Sequence, residues 1–385
     1  MAPANAGERM PLSEEHRAVQ EAVRAFVRER IAPQAARWDR ERHFPAEALK
    51  GLAALGCYGV AIPSDWGGAG MDTLSLAIIL EEIAAGDGGT STIVSVNNCP
   101  VGSILLMWGN EPQKQRWLKP LARGDLLGAY CLTEPHVGSQ ADGLTTSAVQ
   151  RGGEYVLNGV KQFVTSGSTA DVAIVMAVTD KGAGKRGISA FIVPTRTPGY
   201  RVARLEDKMG QHSSDTAQIA FENCTIPAED LLAEEGLGLK IALSGLEGGR
   251  IGIAAQSVGM ARAAFEAALA YSKERVAFGQ PVFEHQAAQF RLAEMATQIE
   301  AARQLLHHAA RLKDAGQPCL KEAAMAKLFA SEMAERVCSA ALQTFGGYDY
   351  VSDFPVERIC RDVRVCQIYE GTSDVQKILI GRALR

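Results

Sequence analysis

A chain of 385 residues has room for two or three structural domains around a large shared core. Its 40 Lys and Arg against 44 Asp and Glu give a formal net charge of −4, and short basic strings such as residues 40–42 are broken by acids. No nucleic-acid-binding patch is therefore expected, and small-molecule partners are.

Residues 1–11 are small and polar, with neither the apolar core of a signal peptide nor the Arg-rich character of a transit sequence, and they read as a frayed terminus. No run of about 18 apolar residues occurs, so no membrane span is expected. From Ser13 the pattern is helical. Ser13 can cap, Glu14 and Glu15 suit the positive end of the dipole, and Val19, Val23, Phe26, Val27 and Ile31 recur at helical spacing until Pro33, which is expected to end the helix. Further helices are expected from Pro45 to about Gly56, over 73–85, over 90–109 with Pro100 inside, and over 112–122. The cluster Pro63-Ser64-Asp65-Trp66-Gly67-Gly68-Ala69-Gly70 reads as a turn.

At Leu126 the period changes. Strand-like stretches cover 127–132, 148–150, 155–157, 172–178, 188–193 and 218–221, with Gly and Pro between them, and Asn158-Gly159 reads as a hairpin turn. With no helices between these stretches, a small antiparallel barrel or sandwich is expected rather than a parallel dinucleotide-binding sheet. After Gly236-Leu237-Gly238 the helical period returns over 239–277, 285–315, 320–345 and 375–383, a bundle. Ala326, Phe329, Met333, Val337 and Ala341 form one apolar stripe, and Gly346-Gly347 stands at a C-cap. The fold class is thus α+β, with a helical domain over 1–125, a β domain over 126–232 and a helical domain over 233–385. The eight cysteines lie mostly in apolar segments and never as CxxC, which reads as free thiols in a reducing cytoplasm rather than a disulfide or metal framework.

One stretch near the end stands out: Ile368-Tyr369-Glu370-Gly371-Thr372-Ser373-Asp374. Thr-Ser-Asp suits the N-cap of the last helix. Glu370 stands between an aromatic ring and a glycine, and a carboxylate in such an apolar setting would have the raised pKa of a general base.

Five words, in order, resemble those of the acyl-CoA dehydrogenases. They are Ala129-Tyr130-Cys131-Leu132-Thr133-Glu134-Pro135 with Gly138-Ser139; Phe163-Val164-Thr165; Glu274-Arg275 with Phe278-Gly279; Gln343-Thr344-Phe345-Gly346-Gly347; and the stretch 368–373. The resemblance spans nearly the whole chain. It implies an N-terminal helical domain, a middle β domain and a C-terminal four-helix bundle, with FAD between the last two and a homotetramer as the assembly.

By the same resemblance Glu370 is the base that takes an acyl-CoA α-proton, its backbone N–H and a flavin hydroxyl polarise the thioester carbonyl, and an electron-transfer flavoprotein accepts the electrons. Tyr130, Leu132 and Thr133 line the flavin ring, Phe163, Val164 and Thr165 flank its other side, and Ser139 lies where FAD and CoA meet. Arg275 and Phe278 contact FAD, Gln286 and the 343–347 stretch (Gln343, Gly346, Gly347) contact the FAD of a neighbouring subunit, and Thr372 and Asp374 are further FAD contacts. Glu247 and Arg250 lie near substrate and CoA, and Gly371 leaves the thioester room. Some relatives carry the base at the position that is Gly249 here, which leaves Glu247 as the only rival; a solvated helix-start acid is its plainer reading, and a helix-surface salt bridge is that of Arg250.

His136 and Gln140 depart from the family wording; His136 reads as an exposed loop residue and Gln140 as a loss of loop hydrogen bonds. The words around 248–251 and 323–328 resemble short-chain and short branched-chain members, with bulk at Val94, Val96 or Asn98 setting the depth of the acyl site. A flavin oxidase or monooxygenase on the same fold is the alternative function.

Overall fold

The computed structural model describes residues 12–385, so the reading of residues 1–11 lies outside it. Helix α1 (Glu14–Phe26) starts as expected: the Ser13 side chain accepts from the His16 N–H, and His16 returns the bond in a capping box. Pro33 does not stop it. A π-turn at Val27–Ile31 shifts the hydrogen-bond ladder, Pro33 falls in the first turn of α2 (Ala32–Glu41), where a missing N–H costs little, and the rod ends at the left-handed Arg42. Then come α3 (Ala46–Ala54), α4 (Thr73–Gly86) and α5 (Gly88–Val96). The continuous helix expected over 90–109 is broken at Cys99, whose extended backbone (φ −148°, ψ 119°) is what a residue before proline prefers, and resumes as α6 (Ser103–Trp108). Short α7 (Glu111–Gln113) and α8 (Lys119–Arg123) lead to the sheet.

The sheet is made of β1 (Gly128–Cys131), β2 (Ser147–Arg151), β3 (Glu154–Thr165), β4 (Val172–Val178), β5 (Ile188–Pro194), β6 (Tyr200–Leu205), β7 (Thr216–Pro227) and β8 (Leu231–Leu232), in the order β6-β7-β3-β2-β4-β5-β8 with β1 beside β4. Pairing is antiparallel except for β1 with β4 and a single β2–β4 pair, which are parallel. Asn158-Gly159 is not the hairpin turn. It lies inside β3 where the register with β7 shifts, and the β2–β3 turn is made by Gly152 and Gly153. Glycine is needed at 159 because a Cβ there would lie 2.6 Å from the Thr146 Cα. Strand β6 was not legible in the sequence because it is an exposed edge with little apolar alternation.

The third segment is led by the 37-residue α9 (Gly238–Glu274). A two-residue pair β9 (Val276–Ala277) and β10 (Gln280–Pro281) follows, then α10 (Gln286–Asp314), α11 (Leu320–Phe345), α12 (Val356–Val363) and α13 (Ser373–Ala383). Ala326, Met333, Val337 and Ala341 of the predicted stripe are buried, with Phe329 packed against them. Helix α4 packs on both α9 and α10, so the first and last segments share one helical body. Its interior holds a network of ion pairs. Glu81 and Glu82 of α4, both buried, pair with Arg303 (2.9 Å), with Arg262 (3.1 and 2.8 Å) and with Arg24 (2.6 Å). Burial would raise the Glu81 carboxyl, but Arg303 and Arg262 hold it below its usual range.

Gly259 of α9 lets the α4 backbone approach, since a Cβ there would lie 2.1 Å from the Glu81 carbonyl oxygen. Gly259→Ala is expected to lower the apparent Tm through overpacking worth about 1–3 kcal/mol, with flavin reduction per bound FAD unchanged. All eight thiols are free, and all but the half-buried Cys360 are buried. Among the described residues no helix is long and apolar enough to cross a membrane, and no cluster of His, Cys, Asp or Glu is placed to hold a metal ion.

Candidate active site

The Glu370 stretch sits between the end of α12 and the start of α13, outside regular structure. A 3₁₀ turn at Arg364–Gln367 carries the chain to Tyr369, after which Glu370 (φ 54°) and Gly371 (φ 90°) are both left-handed. For glutamate that conformation is uncommon and is retained only where surrounding contacts impose it. Those contacts are specific. Lys327 Nζ donates to the Gly371 carbonyl at 2.7 Å, Gln376 Nε2 donates to the same oxygen at 2.7 Å and to the Glu370 carbonyl at 3.2 Å, and the Tyr369 hydroxyl donates to Gln256 Oε1 at 2.7 Å. The Thr372 hydroxyl then caps α13 by accepting from the Val375 N–H, so the capping reading holds. Glycine at 371 serves the backbone first: beside its φ, a Cβ would lie 2.8 Å from Gln376 Nε2.

The Glu370 side chain turns toward α9. Its Oε2 is buried with no hydrogen-bond partner, and a Cβ built on Gly249 would come within 2.6 Å of that oxygen. Gly249 is thus the space the carboxyl occupies. Next on the helix, Arg250 is buried and its Nε is also unpartnered, so the surface salt bridge is not found. Burial raises the Glu370 carboxyl to about 7, against the pull of Arg250 and Lys327. Burial likewise brings Lys327 down to about 8 and lowers Arg250. Glu247, the rival, is no helix-start acid: it lies well inside α9, half-buried, and pairs with Lys313 at 3.2 Å. Cys99 closes the near side, donating to the Gly245 carbonyl at 3.0 Å, its sulfur 2.7 Å from where a Cβ on Gly248 would stand.

The middle-domain words meet this site. Tyr130 donates to the Ala242 carbonyl of α9 at 3.3 Å, and Gln162 N–H donates to the Thr133 carbonyl at 2.8 Å, which sets the 130–133 segment beside the 163–165 segment. Beneath them a buried Lys161–Glu134 pair (2.9 Å) holds the segment, with Lys161 also donating to the Leu132 carbonyl at 3.0 Å. Phe163 is left-handed and 64% exposed, a bare ring on the surface, and Thr165 is half-buried. The Val164 side chain packs into the core, which leaves its backbone to face a ligand. Ser139 and Gln140 are exposed in the following loop, where the Gln140 carbonyl accepts from Gly143 N–H. His136 is exposed as expected, 3.8 Å from Glu134. Thr372 and Asp374 follow Glu370, and the Asp374 side chain is largely in solvent.

The remaining predicted cofactor residues are elsewhere. Arg275, Phe278, Gln286, Gln343, Gly346 and Gly347 gather around the far end of α9, where Arg275 lies over the Tyr348 ring (5.2 Å) and lines an open cavity of about 510 Å³ with Tyr271, Gly347 and Tyr348. Phe278 is 98% exposed there, and a Cβ on Gly346 or Gly347 would meet nothing. Between Gly249 and Arg275 the helix runs roughly 39 Å at about 1.5 Å per residue. Arg275 and Phe278 therefore stand with Gln286 and Gln343, not with Glu370.

Comparison with known proteins gives the family. Three family models cover nearly the whole chain: acyl-CoA dehydrogenase N-terminal domain over 13–125, middle domain over 129–224 and C-terminal domain over 236–385. The chain belongs to the acyl-CoA dehydrogenase family. It is 44% identical to the human mitochondrial short-chain specific acyl-CoA dehydrogenase over 97% of its own length and 91% of that protein's. The butyryl-CoA dehydrogenase of Megasphaera elsdenii superposes with a TM-score of 0.96 at 41% identity, over 98% of this chain and all of the other. A chain from a structural study of the electron transferring flavoprotein of Acidaminococcus fermentans matches equally well (TM-score 0.96, 44% identity, 98% and 99% covered).

As an acyl-CoA dehydrogenase the protein is an FAD-dependent oxidoreductase acting on a CH–CH bond of an acyl-CoA. Its surfaces fit that cofactor: a bare aromatic ring at Phe163, an arginine in an open cavity at Arg275, and glycines with free space at 346 and 347. Residues the sequence reading missed are Lys327, Gln256, Gln376 and Cys99. Only Lys327 left a trace, a lysine inside the apolar word Ala323-Ala324-Met325-Ala326-Lys327-Leu328.

Proposed function

We propose that Glu370 removes the α-proton of a short acyl-CoA, linear or methyl-branched and of about C4 to C6, giving the trans-2-enoyl-CoA, with an electron-transfer flavoprotein as acceptor. The observation that carries this is the Glu370 carboxyl itself: buried, raised to about 7, with Oε2 unpartnered across from Gly249. An oxygen with no internal partner is free to accept a proton from a ligand, and a pKa near working pH is what proton abstraction needs. Burial would strengthen Arg250's attraction for developing negative charge, and its free Nε gives that charge a donor. Closing acyl-CoA over this site would exclude more water and raise the carboxyl further before transfer.

The residues that would hold FAD are Tyr130, Leu132, Thr133, Ser139, Phe163, Thr165, Thr372 and Asp374, with the Val164 backbone. Arg275, Phe278, Gln286, Gln343, Gly346 and Gly347 would come from a second subunit, since they stand at the other end of α9. When bound, FAD supplies the acceptor for the hydride leaving the β-carbon. A cofactor site split between chains supports an obligate dimer, two of which make the proposed homotetramer; free thiols suit a cytoplasmic setting.

A short acyl chain is supported by the surroundings and by the relatives' names. Of the positions expected to set its depth, Asn98 has its amide spent on the Val60 N–H and the Cys57 and Val94 carbonyls, and Val94 packs in the core. Cys99, backed on Gly245 and Gly248, and half-buried Val96 are left near the site. The test is anaerobic flavin bleaching by acyl-CoAs of graded length and branching. Fastest bleaching is expected at about C4 to C6, and a maximum on palmitoyl-CoA overturns the substrate proposal. Slow reoxidation is expected on admitting air; fast reoxidation would instead favour an oxidase.

A further inference from the structure

Lys327 is a buried cation that forms no ion pair among the described residues. Its side chain, on α11, is wholly shielded from solvent, and its Nζ donates to the Gly371 carbonyl at 2.7 Å. Removing an ammonium from water without a carboxylate beside it is unfavourable, and the alanine-rich stripe around it would accept an apolar side chain there. What the lysine holds is a piece of backbone that no helix or strand ladder supports. Glu370 and Gly371 are left-handed in series, between a 3₁₀ turn and the cap of α13. Gln376 reaches the same carbonyl from α13, but α13 begins just after the turn and moves with it. Gln256 of α9 holds the preceding Tyr369 through its hydroxyl, and Lys327 ties the Gly371 carbonyl itself to a long helix packed on α9, where Gly249 and Arg250 face the carboxyl.

We propose that Lys327 is a positioning residue for proton transfer: by holding the Gly371 carbonyl from α11 it fixes the left-handed Glu370–Gly371 turn and so aims the Glu370 carboxyl at the substrate. This rests on Glu370 being the base. The charged and titratable groups facing Glu370 are Arg250 from α9, Lys327 from α11, Tyr130 from β1 and Cys99 from the segment between α5 and α6. Of these only Arg250 and Lys327 carry charge at neutral pH, and both favour the carboxylate against burial. Loss of Lys327 therefore both releases the turn and moves the acid limb of the reaction to higher pH.

The test compares Lys327→Met and Lys327→Gln holoenzymes with Glu370→Gln, measuring FAD content, apparent Tm, acyl-CoA affinity and the anaerobic flavin-reduction rate by butyryl-CoA from about pH 5.5 to 9. Both lysine variants are expected to retain FAD and to bind acyl-CoA within about threefold of the native value. Lys327→Met is expected to reduce flavin about 100-fold more slowly, with the acid limb displaced upward. Lys327→Gln, which keeps an N–H donor without the charge, is expected to recover part of the rate and keep the displaced limb. A native rate with an unmoved limb in Lys327→Met overturns the proposal, as does a rate that falls only in proportion to FAD content. Native flavin reduction in Glu370→Gln means that the base itself is misassigned; an inert Glu370→Gln beside a native Lys327→Met removes the positioning role alone.

Discussion

Glu370→Gln is expected to give a yellow protein that binds acyl-CoA and does not bleach, its reduction rate lowered by about 10⁴-fold. Near-native turnover in this variant would remove Glu370 as the base. The same substitution carries a stability signature. Burial raises the Glu370 carboxyl from 4.5 to about 7, so the native state keeps a proton that the unfolded chain gives up between those values. The stability this group contributes is fully present below about pH 4.5 and is lost as pH rises through about 7. Glutamine has no proton to lose. At pH 8 the variant is expected to be more stable than the native protein by up to about 3 kcal/mol, the gap narrowing toward pH 5; thermal unfolding at the two pH values checks it. In the native enzyme the same group should give the acid limb of kcat/KM an inflection near pH 7.

Gly249→Ala is expected to separate activity from folding. The added methyl would stand 2.6 Å from Glu370 Oε2 and 2.9 Å from its Cδ, so the carboxyl must turn away, at a cost of about 100-fold in single-turnover flavin reduction. Alanine is the better helix former by about 1 kcal/mol, and the three atoms nearest the added methyl all belong to the Glu370 carboxyl, so the apparent Tm should stay level or rise. A variant that bleaches at the native rate would show that the carboxyl does not work from this position. Gly259→Ala, nearly three turns along the same helix, makes the opposite contrast, because there the obstacle is the Glu81 backbone.

The sequence made the order of elements legible wherever periodicity was strong: strand β4 and helices α4, α10 and α11 lie within a residue or so of where the apolar spacing put them. It misled where one residue type serves two geometries. Pro33 can end a helix or sit in the first turn after a π-turn, and Asn158-Gly159 can close a hairpin or relieve a bulge; only the neighbouring chain decides. Strand β6 and helix α12 were missed, the one an exposed edge and the other a short amphipathic segment between two turns. Within the site, Glu370 could be singled out because its neighbours are odd, and Gly249 because of where it falls in the family wording. The polar groups that hold Glu370 in place could not: Lys327, Gln256 and Gln376 reach it from three helices, and nothing in the spacing of 256, 327 and 376 announces that they meet.

The ion pairs inside the helical body bear on how the chain is made. Arg303 is 222 residues downstream of its partner Glu81, which at about 5–20 residues per second means that the carboxylates of α4 emerge from the ribosome roughly 10 to 45 s before that guanidinium exists. Until Arg262, 181 residues downstream of Glu81, has been made, Glu81 has neither of its arginines, whereas Glu82 already has Arg24. The α4 face of the helical body is therefore expected to complete its packing only once α9 and α10 have been made. The strands of the sheet pair within residues 128–232, so every partner the sheet needs has been made before the last third of the chain.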